Sequence, residues 1–287
     1  MKLIRSPEKI QEHVLELRAQ GFTIGLVPTM GWFHEGHLSL MREAGKRADK
    51  VIVTLFVNPT QFGPSEDLDN YPHDLDRDRK LASEAGVDIL YAPEKASMYP
   101  EGFAATVHIE GLTSGLCGAS RPTHFDGVTT VVAKLFNQTL PHLAVFGEKD
   151  FQQLAVIRRM VRDLDFPVQI IGHPTVREAN GLAMSSRNSY LKQDELHAAL
   201  SLSQGIQLAR EMAAHDSSVS AAAVKESVSA LILTHPQCTI DYIEIVDQTS
   251  LENCDILDSE SRLVLAVKIN RRVRLIDNAL LTQARNA

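Results

Sequence analysis

Short apolar runs alternate with amphipathic stretches along the first 175 residues. The apolar runs predict strands over 22–27, 51–57, 87–91, 143–146 and 168–171. Between them, apolar residues recur every three or four positions, which predicts helices over 36–47, 74–85, 127–139 and 150–164. Continuous apolar strands that alternate with helices are typical of an α/β fold, in which helices cover both faces of a parallel sheet.

The chain begins with an amphipathic pattern instead of an apolar one. Ser6 is the predicted N-cap of a helix, Pro7 occupies its first turn, and Gly21 ends it. The apolar face of this helix consists of Ile10, Val14 and Leu17. We therefore expect neither a signal peptide nor a membrane span here. Three dispersed cysteines favour a reducing, cytoplasmic location.

The pattern changes after about residue 175. Helical stretches near 194–214 and 219–234 precede short strands at 239–246, 261–267 and 273–276. This order predicts a smaller α+β domain. The expected division is therefore a first domain over 1–175 and a C-terminal domain over 176–287.

The net charge of −7 argues against a general nucleic-acid-binding protein, because such proteins carry a basic surface. The same charge sets a condition on any site for anionic substrates. Such a site needs a local cluster of positive groups to oppose the field of the whole protein.

A pair of histidines is the clearest candidate for this cluster. His34 and His37 lie in the run PTMGWFHEGH at 28–37, where a predicted strand leads into a predicted helix. Residues three apart share a helix face, and the start of a helix favours phosphate. The pattern predicts the handling of nucleotide phosphate, with cleavage at the α-phosphate. Two other interpretations stay open: ordinary turn and helix-start residues, or zinc ligands, although the cysteines lack ligand spacing.

Two further polar loops follow predicted strands, at 58–61 and 147–150. Parallel sheets bind ligands at the carboxyl ends of their strands, so we expect both loops at the same edge as His34. In the second loop Lys149 is placed to meet phosphate as a point charge. The alternative is a solvated loop lysine.

More polar side chains cluster at 118–125 and 184–188. The second stretch supplies two hydroxyls and Arg187, groups that can stabilise the charge on leaving diphosphate, or that simply cap a turn. In the first stretch, Arg121 and His124 fit either a site or a local role.

Amide and carboxylate side chains complete the candidates. Gln61 and Gln153 can each donate to and accept from a substrate hydroxyl or carboxylate, although surface glutamines are common. The stretch 58–73 is rich in turn-forming residues and is a predicted lid. Asp76 and Asp78 are candidates to help hold Mg²⁺, but a solvated helix face is the preferred interpretation.

Taken in order, these residues resemble the pantothenate synthetases, which are pantoate–β-alanine ligases. The family pattern is PTMGxxHxGH, FVNPxQF, RPxHFxGVxTVVxKLFN, FGEKDxQQ, SSRN and RLIDN, and the chain matches it at 28–37, 56–62, 121–137, 146–153, 185–188 and 274–278. The chain departs from residues usual in the family at Thr60, Cys117 and Asp126.

The resemblance implies a Rossmann-like first domain of the HxGH nucleotidyltransferase superfamily, a smaller C-terminal domain that covers the site, and a homodimer. It also implies two reactions. The pantoate carboxylate attacks the α-phosphorus of ATP, which releases diphosphate and leaves pantoyl adenylate. The β-alanine amine then attacks the activated carbonyl, which gives pantothenate and AMP. Mg²⁺ would accompany ATP.

Site residues follow from the same resemblance. It implies that His37 is a general acid, that His34 is a phosphate partner, and that Lys149 and Arg187 share the catalytic role. Gln61 would bind pantoate beside the β-alanine site, and Gln153 would bind pantoate. The implied ATP contacts are Met30, Gly31, Trp32, Phe33, His34, Glu35, Gly36, His37, Gly147, Glu148, Lys149, Asp150, Val176, Met184, Ser185, Ser186 and Arg187.

Two other function classes remain hypotheses. A plain nucleotidyltransferase would couple a nucleotide to a phosphorylated acceptor, which the paired glutamines disfavour. A catalytically inactive nucleotide-binding module is the second, and the presence of all four candidate catalytic residues argues against it.

Overall fold

The computed structural model describes residues 1–64, 66–216 and 218–282. Its contacts divide the chain into two compact units. The first unit comprises residues 1–148 and 152–174, and the second comprises residues 149–151 and 175 onward.

Within the described ranges, the first unit contains six strands and seven α-helices, of which the seventh begins one residue earlier, at Phe151 of the second unit. In chain order they are β1 (Lys2–Ile4), α1 (Pro7–Ala19), β2 (Ile24–Thr29), α2 (Glu35–Gly45), β3 (Lys50–Leu55), α3 (Leu75–Glu84), β4 (Ile89–Tyr91), α4 (Lys95–Met98), α5 (Cys117–Ser120), α6 (His124–Thr139), β5 (Leu143–Gly147), α7 (Phe151–Asp163) and β6 (Gln169–His173).

The six strands form one parallel sheet in the order β1-β4-β3-β2-β5-β6. Val27, Val53 and Val145 lie on one face and share a buried cluster with apolar residues of α2 and α3. On the opposite face, the Tyr91 hydroxyl donates to Gln138 Oε1 of α6 at 2.8 Å. Helices therefore cover both faces, and the predicted α/β class is confirmed.

The order of strands reverses beside β2. From β2 the chain proceeds to β3 and β4 on one side, and it later adds β5 and β6 on the other. In open α/β sheets the crevice at such a reversal is the usual ligand site. The loop after β2, which carries the histidine pair, and the end of β5 at Gly147 both lie at this reversal.

The N-terminal helix follows its prediction closely. The Ser6 side chain accepts from the Lys9 N–H, and the three predicted apolar residues are buried. The three-residue strand β1 was not predicted, because it is too short to show a period. Over the described ranges, no helix combines the length and apolar character needed to cross a bilayer.

The second unit is an α+β arrangement, as predicted. It contains α8 (Leu196–His215), α9 (Ala221–Leu233) and the antiparallel strands β7 (Cys238–Asp247), β8 (Ser261–Ile269) and β9 (Val273–Leu280), with β8 in the centre. Apolar residues of both helices and one side of the sheet form a single buried cluster. Two 3-10 turns, Ser186–Tyr190 and Gln193–Glu195, precede α8.

An acid-sensitive contact stabilises the start of α8. Buried Glu195 accepts from the Lys192 N–H at 2.8 Å and from the Arg272 guanidinium at 2.8 Å, while Asn270 donates to it at 2.7 Å. The backbone hydrogen bond from Lys192, with the Asn270 and Arg272 contacts, lowers the pKa of the Glu195 carboxyl from 4.5 to about 2.

Glu195→Gln is expected to weaken the loss of stability in acid. The folded carboxyl stays ionised below the pKa it has in the unfolded chain, so its contribution is complete above pH 4.5 and is lost as the pH falls toward 2. Urea midpoints measured across this range should fall less steeply for Glu195→Gln than for the parent. Exposed Glu12 offers the matched control Glu12→Gln, which should follow the parent. Equal slopes for Glu195→Gln and the parent would contradict the assignment.

Candidate active site

His34 is the N-cap of α2 and His37 lies in its first turn, and each side chain accepts from a backbone N–H. The Gly36 N–H donates to His34 Nδ1 at 3.1 Å, and the His34 N–H donates to His37 Nδ1 at 3.4 Å. This is a capping box in which histidines take the places of the usual serine and glutamate. The ring centroids lie 4.1 Å apart.

This capping decides where the ring protons are. A ring nitrogen that accepts from a backbone N–H carries no proton, so each neutral imidazole carries its proton on Nε2. Two Nε2–H donors therefore sit at the positive end of α2, beside the crevice at the sheet reversal. An anion such as a phosphate group fits this arrangement.

Asp78 anchors the loop before the histidines. Its carboxylate accepts from the Trp32 N–H at 2.6 Å and the Phe33 N–H at 2.8 Å, and its side chain is fully buried. Gly31 and Trp32 have positive φ values of 92° and 52°, so this sharp turn leaves N–H groups that need an acceptor. Burial raises the pKa of the Asp78 carboxyl, against the opposing effect of these hydrogen bonds.

The prediction of a solvated face for both aspartates was therefore wrong for Asp78. Asp76 is exposed, as predicted, but Asp78 turns inward to the backbone of a loop more than 40 residues earlier. The sequence pattern of α3 did not indicate this partner, because the N–H groups that need an acceptor belong to the turn at Trp32 and Phe33 and not to the helix.

Gln61 lies after β3 in a 3-10 turn, Pro59–Gln61. Its Nε2 donates to Met30 Sδ at 3.0 Å, and its Oε1 accepts from Asn58 Nδ2 at 3.2 Å. Asn58 is itself buried, donates to the Gly127 carbonyl at 3.0 Å, and accepts from the Tyr99 hydroxyl at 2.8 Å. The structure thus adds Asn58, to which the sequence assigned no role, as the residue that orients Gln61.

Arg121 and His124 fix the backbone of the same turn. Arg121 Nη2 donates to the Gln61 carbonyl at 3.1 Å, and His124 Nδ1 donates to it at 2.8 Å. Arg121 also forms a bidentate ion pair with Glu66. Burial raises the pKa of the Glu66 carboxyl, but the hydrogen bond and charge of Arg121 outweigh this and hold the pKa below its usual value. Of the two roles left open for Arg121 and His124, these contacts describe the local one.

Gly127→Ala should displace the Gln61 turn. A Cβ at Gly127 would lie 2.5 Å from the Thr60 carbonyl oxygen and 2.6 Å from the Gln61 nitrogen, so the helix and the turn must move apart. We expect a destabilisation of about 1–3 kcal/mol, as for overpacked cores, measured as a lower urea midpoint. Gly45→Ala is the control, because the nearest atom to its Cβ is 3.7 Å away. An unchanged urea midpoint in Gly127→Ala would contradict this close contact between the helix and the turn.

Two adjacent glutamines follow the end of β5 and differ in their environment. Gln152 is buried, donates to the Leu112 and Gly115 carbonyls at 2.9 Å each, and accepts from the Cys117 N–H at 3.0 Å. Gln153 is only partly buried. Gln152 therefore holds a loop in place, which leaves Gln153 as the candidate substrate contact.

Of the remaining predicted residues, Gly147 and Glu148 belong to the first unit, whereas Lys149, Asp150, Val176 and the stretch 184–187 belong to the second. Lys149 lies in a 3-10 turn that spans Glu148–Asp150. The Met184 N–H donates to the Val176 carbonyl at 2.9 Å, which closes a hairpin. Ser185 Oγ accepts from the Arg187 N–H at 3.2 Å. The cap predicted as an alternative for this stretch is present, and it presents Arg187 in a defined turn.

The described residues do not provide a metal site of their own. In the part of the chain that the structure describes, no three carboxylate, histidine or cysteine side chains are grouped to hold a metal ion. Both oxygens of Asp78 accept from backbone N–H groups, so Asp78 does not fit as a Mg²⁺ ligand.

Comparisons with known proteins agree on one family. The sequence profile described as pantoate-beta-alanine ligase matches residues 2–280. The chain is 53% identical over 278 residues to the pantothenate synthetase of Syntrophotalea carbinolica, with 97% of this chain and 98% of that protein covered. The pantothenate synthetase of Geotalea uraniireducens is 51% identical over 281 residues, with 98% and 99% covered.

Solved structures similar to this chain belong to the same family. The pantothenate synthetase of Thermus thermophilus superposes with a TM-score of 0.91 at 45% identity, with 98% of this chain and 99% of that chain covered. A pantoate-beta-alanine ligase from Francisella tularensis, solved in complex with beta-gamma ATP and beta-alanine, superposes with a TM-score of 0.82 at 32% identity, with 99% of both chains covered.

Proposed function

This chain belongs to the pantoate-beta-alanine ligase family, and we propose that it joins pantoate to β-alanine through a pantoyl adenylate formed from ATP. The main observation that supports an adenylate route is the capping box formed by His34 and His37, at the position where the strand order reverses. Two Nε2–H donors at the start of a helix that follows β2 support this route, because helix starts and the reversal of strand order in folds of this class favour phosphate.

In the first step, a carboxylate oxygen of pantoate forms a bond to the α-phosphorus of ATP. The bond from that phosphorus to the bridging oxygen breaks, and diphosphate leaves with the electron pair. His34 and His37 donate hydrogen bonds from Nε2 to phosphate oxygens as this charge develops. Because His37 Nδ1 accepts from the His34 N–H, its neutral ring acts in this proposal as a hydrogen-bond donor that keeps its proton, and not as the general acid that the family resemblance implied. Lys149 and Arg187 are the cations proposed to contact the phosphates.

In the second step, the β-alanine nitrogen forms a bond to the acyl carbon of the adenylate. The bond from this carbon to the phosphate oxygen breaks, AMP leaves, and the nitrogen loses a proton. Because a mixed anhydride also reacts with water, the site must exclude water and admit the amine. Gln61, fixed through Asn58 and Arg121, is proposed to hold pantoate together with Gln153, which makes the amide-forming step effectively intramolecular.

Backbone groups supply the rest of the proposed nucleotide site. They lie in the loop from Met30 to His37, in the turn from Gly147 to Asp150, at Val176 beside adenine, and in the stretch from Met184 to Arg187. Mg²⁺ is proposed to enter with ATP and to keep mostly phosphate and water ligands, as is usual for this ion. Homodimerisation and a cytoplasmic location complete the proposal.

Product analysis tests the reaction. The protein is incubated with ATP, Mg²⁺ and pantoate, with and without β-alanine, and the products are identified by mass spectrometry. We expect AMP and diphosphate only with pantoate, and pantothenate only when β-alanine is added. ADP and phosphate would exclude the adenylate route. A stable nucleotide-linked product that no amine alters would favour a plain nucleotidyltransferase, and binding without turnover across a panel of carboxylic acids would favour an inactive module.

A further inference from the structure

Two neighbouring polar residues of β9 are buried, and the reaction described above gives them no role. Asp277 is 3% exposed and Asn278 is 5% exposed, and both belong to the RLIDN stretch at 274–278. A buried carboxylate and a buried amide are costly in an apolar surrounding unless each is satisfied by defined partners. Their partners include Arg177, Lys149 and Arg262 of the second unit, and these lead to two segments assigned to ATP.

Asn278 binds the turn that carries Lys149. Its Nδ2 donates to the Lys149 carbonyl at 3.0 Å, and its Oδ1 accepts from Arg262 Nη1 at 2.5 Å. Arg262 in turn lies over the ring of Phe151, with its guanidinium carbon 4.0 Å from the ring centroid. The three-residue segment Lys149–Phe151 is therefore held at both of its ends from the sheet.

Asp277 binds the hairpin that carries Val176. Arg177 donates to its two carboxylate oxygens at 2.7 and 2.9 Å, which is the bidentate geometry of a strong ion pair. Arg177 Nη1 also donates to the Gly181 carbonyl at 3.0 Å, across the turn of the hairpin. Arg177 adjoins Val176 in sequence, so the ion pair fixes the backbone at that position.

The strand geometry explains how two adjacent residues reach two separate segments. Successive side chains of a strand point to opposite faces of the sheet. Asp277 lies on the same face of the sheet as the core residues Leu275 and Ala279. Asn278 lies on the opposite face, together with Arg262 of the neighbouring strand β8.

We propose that Asp277 and Asn278 are positioning residues of the adenylation step: Asn278 sets the place of Lys149 against the ATP phosphates, and Asp277 sets the place of the Val176 hairpin against the adenine. This inference rests on the proposed function. The inference adds that two adjacent residues of β9 affect different kinetic parameters. Asn278 affects kcat through Lys149, and Asp277 affects the apparent affinity for ATP through Val176.

Two conservative variants of the full chain separate positioning from support of the fold. Asn278→Asp keeps an oxygen for Arg262 but places an acceptor against the Lys149 carbonyl. Asp277→Asn keeps the size of the side chain but cannot accept with both atoms from Arg177. The assay is pantoate-dependent exchange of diphosphate into ATP, which follows the first step alone, and binding of a non-hydrolysable ATP analogue is measured by calorimetry.

The two variants are expected to differ in the parameter that changes. For Asn278→Asp we expect the exchange kcat to fall about tenfold, with the ATP KM and the analogue Kd changed less than about threefold. For Asp277→Asn we expect the ATP KM and the analogue Kd to rise about tenfold, with kcat nearly kept. Val228→Ala, in the buried core of α9, is the control for lost stability and should change neither parameter.

Several results would overturn the inference. One is a normal kcat in folded Asn278→Asp, and another is a parallel loss of kcat and KM in all three variants that follows only their unfolding temperatures. If Asn278→Asp does not fold, an unchanged ATP KM in Asp277→Asn overturns it. Absence of exchange in the parent protein refutes the proposed function and the inference together, whereas exchange in the parent with unaltered variants refutes the inference alone.

Discussion

His37→Gln is expected to slow pantoate-dependent adenylation about a hundredfold, the usual cost of losing one positioned donor at a reacting phosphate or carbonyl. The same variant should keep its stability. Glutamine at the third position of a helix accepts from the N-cap N–H in the ordinary capping box, which is the structural task of His37 Nδ1. Glutamine cannot, however, offer an Nε2–H with the acidity of an imidazole.

A series of capping variants makes this test specific. His34→Asn retains one of the best N-cap residues and removes the other imidazole, so it too should fold normally and lose activity. His37→Ala removes both the cap and the imidazole, and it should lose about 1 kcal/mol of stability in addition to activity. Exchange rates and thermal unfolding are measured on all three. A near-normal rate of diphosphate exchange in His37→Gln would contradict a catalytic role for His37 and leave its ring only the role of a helix cap.

Lys149→Ala is expected to reduce adenylation by a similar factor, about a hundredfold, with little effect on stability. The contact that holds this turn uses the Lys149 carbonyl and not its side chain, so the backbone should stay in place when the ammonium group is removed. A lower rate of adenylation in this variant would therefore measure the effect of removing the Lys149 ammonium group from the phosphates of ATP.

The control for Lys149→Ala must remove the same charge elsewhere. Lys80 is exposed on α3, and Lys80→Ala changes the net charge equally. It should exchange diphosphate at the parental rate, which separates a local contact from the general field of an acidic chain. Equal rates for Lys149→Ala and Lys80→Ala would remove Lys149 from the catalytic set.

Periodicity predicted the fold because the buried faces repeat. Residues such as Val27 on β2 and Met41 on α2 meet in one cluster, and their spacing in the sequence follows directly from strand and helix geometry. Boundaries were less well predicted. Strand β2 begins at Ile24 and not at residue 22, since the Thr23 N–H and hydroxyl bind Asp49 outside the sheet.

Buried polar residues were the part that pattern did not predict. Asn58, Asp78 and Asn278 each satisfy a backbone group that is distant in sequence. The turns of the folded chain determine which backbone N–H and carbonyl groups need a side-chain partner. The periodicity of apolar residues in the sequence does not show which groups these are. The histidine spacing did predict that the two rings lie close together, but not that each Nδ1 accepts from a backbone N–H and so leaves the ring proton on Nε2.

The fate of the pantoate carboxylate oxygen tests the central claim most directly. Pantoate labelled with ¹⁸O in its carboxylate is incubated with the protein, ATP, Mg²⁺ and β-alanine, and the nucleotide products are analysed by mass spectrometry. Attack on the α-phosphorus predicts one ¹⁸O atom in each AMP and none in diphosphate. AMP without the label, or label in inorganic phosphate, would contradict the account.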